Sequence, residues 1–341
     1  MDSISQIALG AAVTVAVMGR RTAVYKAALC GAVLGTLPDL DVLINHGDPI
    51  ANMVLHRAET HSLFWLTLAS APLAAGVAGL QGQWALKGRW WLAVWLALIT
   101  HPLLDVMTVY GTQLALPFTD HPYAVGSVFI IDPLYTLPLL VGTAWALLGR
   151  GAVQRTGWGW RANQMGLAVS TAYLAWGVAA QAHSAQVAQT SLTAQGIKAS
   201  QVLVTPAPFS TLLWRVVAMS GEHYYEGFYS LLDAEPHITF DRFDRGTALL
   251  PELQGNLGAK RIQDFSHGFY KLQENKDGRV FITDLRMGQE PAYGFNFAIA
   301  QRGSGLRPLK KPEQVSQRPD LERGLPWLWR RMAGEPLPSP K

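Results

Sequence analysis

The sequence predicts a mainly α membrane domain of about six helices with an outward metal site, followed by a smaller β-rich (α+β) extracytoplasmic domain. Three observations carry this expectation. The 341 residues are 49% hydrophobic and only 15% charged, which is more apolar than an ordinary soluble domain. The apolar material is concentrated before residue 182, in successive runs at 4–18, 27–37, 63–80, 90–107, 128–148 and 165–182. Beyond it the pattern changes to short alternating or aromatic stretches of the kind that form strands.

Runs of about twenty apolar residues cross a bilayer as helices, because every backbone polar group must be satisfied within the segment. The last four runs meet that length. The first two are short, which suits tilted partners buried among the others or a helical hairpin. A cleaved signal peptide fits the first run poorly, since Met1-Asp2-Ser3 carries an acid where a basic segment belongs, and Arg20 and Arg21 follow the run. Cys30 stands alone inside an apolar run, so it forms no intrachain disulfide. The net charge of +4 is spread too thinly to suggest nucleic acid.

Loop cations set the orientation. Arg20, Arg21 and Lys26, then Lys87 and Arg89, then Arg150, Arg155 and Arg161 fall in alternate loops, while the opposite loops of the membrane half carry Arg57 as their only cation. Cation-rich short loops stay cytoplasmic. The expectation is therefore six spans, with the N-terminus, residues 38–61, residues 108–127 and everything after 182 outside.

The transmembrane domain is expected to occupy residues 1–182. Residues 183–205, rich in Ala, Gln, Ser and Thr, read as a helical stalk or linker, and 206–301 as the β-rich domain with strands near 212–219, 223–232, 265–273, 279–285 and 293–300. Asn275-Lys276-Asp277-Gly278 reads as a hairpin turn, because Asp-Gly tolerates positive φ. Residues 302–341, with many prolines and basic residues, read as an irregular tail whose Trp327 and Trp329 rest at the membrane interface.

On this topology Asp2, Asp39, Asp41, His56, His61, His101, Asp105 and Asp132 all lie at the outer surface. Such groups are costly to desolvate at a membrane and are retained mainly where they pair, bind an ion or do chemistry. His101 and Asp105 stand at i and i+4, one turn apart on one helix face, as two ligands of one ion would. A buried His hydrogen-bonded to an Asp is the competing reading, and Pro102 between them is expected to kink the helix. In Asp39-Leu40-Asp41 the side chains of an extended turn point apart, so one carboxylate is expected to bind metal while the other orients a ligand or bridges a second ion. A solvated helix end is the alternative there.

His56 and His61 are five residues apart, about 140° on a helical wheel. His61 is therefore placed at the start of the third span with Thr60 as N-cap, and His56 in the preceding loop. Arg57 can clamp a phosphate bidentately or pair with Glu59 or Asp41. Asp132 precedes Pro133 in an apolar stretch, where it needs a partner such as a metal or Arg57. Asp120 and His121 are weaker candidates, and His183, His223, His237 and His267 show no ligand spacing.

The donor mixture suits zinc, manganese or iron rather than a thiolate zinc site. The surplus of donors over one tetrahedral ion suggests two or three divalent metals, able to activate water and stabilise both oxygens of an ester or phosphoester displacement.

Several motifs resemble one family. They are Met1-Asp2-Ser3-Ile4-Ser5-Gln6 with Leu9-Gly10-Ala11-Ala12, Gly35-Thr36-Leu37-Pro38-Asp39-Leu40-Asp41, His56-Arg57-Ala58-Glu59-Thr60-His61-Ser62, Thr100-His101-Pro102-Leu103-Leu104-Asp105, Tyr110-Gly111-Thr112-Gln113 and Ile131-Asp132-Pro133-Leu134-Tyr135-Thr136. Together they look like the bacterial inner-membrane family known as membrane-bound metal-dependent hydrolases, grouped with the zinc-dependent phospholipase C fold. The resemblance covers the membrane half. It implies that His101 and Asp105 match a His-x-x-x-Asp ligand pair, joined by His61 and by Asp39 or Asp41. Many members have His where this chain has Gln6, which removes one ligand and weakens the case for a third metal, with Asp2 a partial substitute.

The expected function is a metal-dependent hydrolase cleaving a phosphoester of a membrane lipid or lipid-linked substrate at the outer face. Asp39, Asp41 or Asp132 would serve as general base, Arg57 would hold the phosphate, and the outer domain would cover the site or choose the substrate. A non-catalytic metal-stabilised envelope scaffold is the first alternative. An ion-coupled transporter is the second, although few polar groups continue toward the cytoplasmic side.

Overall fold

A computed structural model describes residues 1–149, 157–317 and 320–340. Arg150 and Arg155, used in the orientation argument, lie outside the described residues. The chain forms two compact units, one of Met1–Leu43, His56–Val178 and Pro208–Ser210, the other of Ile44–Leu55, Ala179–Ala207 and Thr211–Lys341.

Among the described residues the helices in chain order are α1 (Ser3–Met18), α2 (Val24–Thr36), α3 (Pro49–Leu55), α4 (Leu63–Leu80), α5 (Lys87–Val106), α6 (Pro133–Leu148), α7 (Trp158–Ala194), α8 (Leu257–Phe265) and α9 (Leu321–Met332). The first unit holds α1, α2, α4, α5, α6 and the start of α7. By length and composition, Ser3–Arg21 and Leu63–Leu80 are long and apolar enough to cross a membrane, and Val24–Thr36 and Pro133–Leu148 are shorter apolar helices.

Helix starts follow local chemistry. Asp2 caps α1 by accepting from the Ile4 and Ser5 amides, and Asp132 caps α6 with Pro133 in the first turn. That cap explains why the apolar run at 128–148 becomes helical only from Pro133, the position where a missing N–H costs nothing. The cap of α4 is Ser62, which accepts from the Trp65 amide. Thr60, the expected cap, instead lies in a 3-10 turn, Glu59–His61, and its hydroxyl is used elsewhere. α5 continues through Pro102.

α1 and α2 approach through glycine. A Cβ on Gly10 would lie 2.2 Å from the Gly31 carbonyl oxygen, and one on Gly35 would lie 2.5 Å from the Gln6 carbonyl oxygen. Small residues permit such backbone contact between apolar helices. The contact brings Gln6 of α1 beside the end of α2, from which a 3-10 segment, Pro38–Leu43, carries Asp39 and Asp41.

The second unit contains two four-stranded antiparallel sheets, β1-β2-β3-β4 and β10-β9-β6-β5, and a two-stranded β7-β8 ribbon. The strands are β1 (Gln201–Pro206), β2 (Leu213–Ser220), β3 (His223–Ser230), β4 (Asp241–Asp244), β5 (Tyr270–Glu274), β6 (Arg279–Asp284), β7 (Gly288–Gln289), β8 (Ala292–Tyr293), β9 (Asn296–Arg302) and β10 (Leu306–Gln314). The turn between β5 and β6 has Gly278 at φ +73°, as its Asp-Gly sequence requires.

Two regions differ from expectation. Part of the presumed linker is β1, and most of the presumed irregular tail is β10 and α9. Pro308 and Pro312 disguise β10, but it is an edge strand with a register shift between Pro308 and Glu313, where a strand tolerates missing donors. α9 is capped by Asp320, whose carboxylate accepts from the Glu322 and Arg323 amides.

Candidate metal centre

Four of the expected ligands converge: Asp39, His61, His101 and Asp105 offer donor atoms that all lie within 4.8 Å of one another. His61 Nε2 is 3.1 Å from His101 Nε2. Asp39 Oδ1 is 3.3 Å from each of these nitrogens, and Asp105 Oδ2 is 3.4 Å from His61 Nε2 and 3.5 Å from His101 Nε2. A tetrahedral ion bonded at about 2.0–2.1 Å holds its ligand atoms about 3.3–3.4 Å apart. These five separations bracket that spacing.

The outward sides of both rings are fixed. His101 Nδ1 is 2.6 Å from the Gly35 carbonyl oxygen, which can only accept, so that nitrogen carries the proton. The Thr60 hydroxyl donates to Asp41 Oδ2 at 2.8 Å and lies 2.9 Å from His61 Nδ1, so it accepts from that ring. Both Nε2 atoms therefore face each other across a gap that a single proton or a single metal ion satisfies. Such partners fix tautomer and ring orientation in metal sites.

Asp105 is prepared in the same way. Its Oδ1 accepts from Gln6 Nε2 at 3.0 Å and from the Met1 amino group. Its Oδ2 is buried without a hydrogen bond and faces the two imidazoles. A buried carboxylate oxygen with no hydrogen bond, beside two inward ring nitrogens, fits a divalent cation, because buried polar atoms are normally satisfied.

Electrostatics point the same way. Burial opposes charge on Asp39, but the nearby imidazoles of His101 and His61 outweigh that effect and hold its carboxyl below the usual range. Burial also opposes charge on Asp41, yet hydrogen bonds from His56 and the Arg57 amide keep its carboxyl low. Both acids are ionised at neutral pH.

Asp41 and His56 form a layer outside the four donors. Asp41 Oδ1 is 2.8 Å from His56 Nδ1, and Asp41 Oδ2 accepts from the Arg57 amide at 3.0 Å. Asp41 thus orients His61 through Thr60. The ring of His56 lies 5.9 Å from that of His61, centre to centre.

Arg57 adopts φ +67°, a left-handed conformation uncommon for a side-chain-bearing residue. This turn aims its amide at Asp41 and its guanidinium at Asp105, with Nε 3.3 Å from Asp105 Oδ2 and the group 4.8 Å above the Tyr110 ring. Glu59 is not its partner. Asp132 and Asp2 stand apart from the four donors as the caps of α6 and α1. Asp132 accepts from Tyr173 at 2.9 Å rather than from Arg57, and Asp2 accepts from the Ser5 hydroxyl at 2.5 Å.

Sequence reasoning missed the supporting roles of Thr60, Gly35 and Gln6. Thr60 carried a signal, since a hydroxyl next to a ligand His can hold its Nδ1. A carbonyl such as Gly35 carries none.

Residues 1–184 match the family described as YdjM inner membrane protein. The chain is also similar to the uncharacterized protein YfhP of Bacillus subtilis (strain 168), at 30% identity over 144 residues, which is 40% of this chain and 42% of that protein. It therefore spans less than half the length of that curated relative. No solved structure matches.

Proposed function

The chain belongs to the YdjM inner membrane protein family, and from that premise we propose that it is a metal-dependent hydrolase acting on a phosphoester of a lipid or lipid-linked substrate. The proposal includes a multi-pass topology of six spans with the site and the C-terminal unit outside, and a kinship with the zinc-dependent phospholipase C fold. One observation carries it: Asp39, His61, His101 and Asp105 converge on one point, and of the four only Asp39 has a side chain open to solvent.

Zinc suits this His and carboxylate set best. A bound divalent ion there would supply Lewis acidity and lower the pKa of water. The chain's own groups do the rest. His61, His101 and Asp105 have fully buried side chains, whereas that of Asp39 is 23% exposed, so substrate reaches the centre past Asp39. His56 has a 25% exposed side chain and is held by Asp41. With its Nδ1–H donating to Asp41 Oδ1, its Nε2 is left as the acceptor for a water proton, the arrangement of an oriented general base. Arg57 balances the charge of Asp105.

A second reading is favoured by one feature. Four protein donors complete a tetrahedral shell, as in structural sites, so the ion would tie α2, α5 and the turn before α4 together in an envelope scaffold. Metal analysis and lipid phosphoesterase assays on wild type, His101→Ala and His56→Ala separate the two. The hydrolase reading expects bound metal and activity in wild type, loss of both in His101→Ala, and retained metal with roughly 100-fold or greater loss of activity in His56→Ala. Bound metal with no hydrolysis of any lipid phosphoester would leave the scaffold.

A further inference from the structure

α9 has an apolar arc wider than the unit beneath it covers. At about 100° per residue, Leu321, Leu325, Leu328, Trp329 and Met332 share an arc of about 100°. Leu328 and Met332, toward the C-terminal end of the helix, are buried, while Leu321, Leu325 and Trp329 on the same arc are 60%, 37% and 55% exposed. The helix is not loosely placed. Arg331 donates to Asp233 Oδ2 at 2.6 Å and to the Phe228 carbonyl oxygen at 3.0 Å, and the Ser230 hydroxyl donates to the Met332 carbonyl oxygen at 2.7 Å. The exposed Leu-Leu-Trp stripe is thus held outward by buried polar bonds.

Arg323 and Arg330 lie on the opposite side of the helix, exposed, in ion pairs with Asp320 at 3.6 Å and Glu335 at 2.7 Å. Exposed pairs of this kind are weak and leave the arginines available to other anions. Leu and Trp on one face with Arg on the other is the pattern of a helix lying in the plane of a membrane interface. Trp favours that zone because its ring is apolar and its N–H is polar. The chain is a member of an inner-membrane family, so a bilayer is at hand.

We propose that the Leu321, Leu325 and Trp329 face of α9 beds into the headgroup and acyl boundary of the bilayer and tethers the C-terminal unit to the membrane surface. This rests on family membership and not on the hydrolase reading.

The test uses the full chain with Cys30→Ser, reconstituted in nanodiscs of phosphatidylethanolamine and phosphatidylglycerol. An environment-sensitive fluorophore is attached through Leu325→Cys, in a second protein through Trp329→Cys, and in a third through Arg323→Cys. Lipids carrying a nitroxide at a shallow acyl position are then added. Emission at 325 and 329 is expected to fall by about half or more while 323 changes little, as the depth of an interfacial helix requires. Equally weak quenching at all three positions overturns the proposal. So does emission at 325 that depends on the number of chains per disc and not on the nitroxide, which would mean that a second copy covers the stripe.

Discussion

Two buried polar clusters in this protein solve the cost of burial differently. In the C-terminal unit Arg215 and Glu226 are 4% and 1% exposed, and their bonds are closed within the protein. Arg215 Nε donates to Glu226 Oε2 at 2.9 Å, NH1 to the Leu285 carbonyl oxygen at 2.8 Å and NH2 to the Tyr293 hydroxyl at 3.2 Å. Glu226 Oε1 accepts from the Glu290 amide at 3.2 Å. In the helical unit the cluster around Asp105 leaves Asp105 Oδ2, Arg57 Nε and Gln6 Oε1 without hydrogen bonds. A saturated cluster needs no further partner to offset its burial. An unsaturated one, with two imidazoles turned inward, asks for a cation.

That contrast can be broken from either side, and the largest effect is expected in the closed cluster. Arg215→Met leaves Glu226 buried and unpaired, which costs about 3–5 kcal/mol, whereas adding Glu226→Leu restores most of the loss because an apolar pair replaces the ionic one. Denaturant unfolding of both variants checks this. If the single and double variants are equally unstable, the pair is not the determinant.

Metal removal should act only on the open cluster. A divalent ion at a thousand times its dissociation constant contributes about 4 kcal/mol, so chelation should lower the thermal midpoint of wild type and readdition restore it. His101→Ala should show neither response. An unchanged wild-type midpoint under chelation would remove the metal from the account of stability.

Smaller effects sharpen the boundary between ligand and support. Thr60→Val removes the hydroxyl that links His61 to Asp41 and should weaken metal affinity about 10- to 100-fold, read by competition with a chelating dye. Ser62→Ala, two residues away, removes the α4 cap and should cost about 1 kcal/mol of stability while leaving metal affinity unchanged. Equal affinity losses in both would mean that the turn responds only as a whole.

Much of this was legible beforehand, for reasons that differ by element. α4 and α5 follow from long apolar runs, and the His101 and Asp105 pair follows from helical spacing alone. β2, β3, β6 and the turn ending at Gly278 follow from alternation and Asp-Gly chemistry. β10 was hidden because its prolines are forbidden in a central strand and harmless at an edge, a distinction made by neighbours far along the chain. α9 was hidden within a segment whose prolines and charges obscured its short periodicity.

By itself the sequence determined which residue types could bind a metal and that they lie near the ends of apolar helices, because both are local properties. It could not separate Asp39 from Asp41, or His61 from His56, since each pair lies within one short segment and differs only in direction. The tertiary structure decided that. The glycine contact between α1 and α2 sets Gln6 and Gly35 against α5, the left-handed turn at Arg57 draws Asp41 away to orient His61, and Asp39 is left to face the two histidines. Convergence of donors depends on backbone approach and ring orientation, and both are settled by packing between segments distant in sequence.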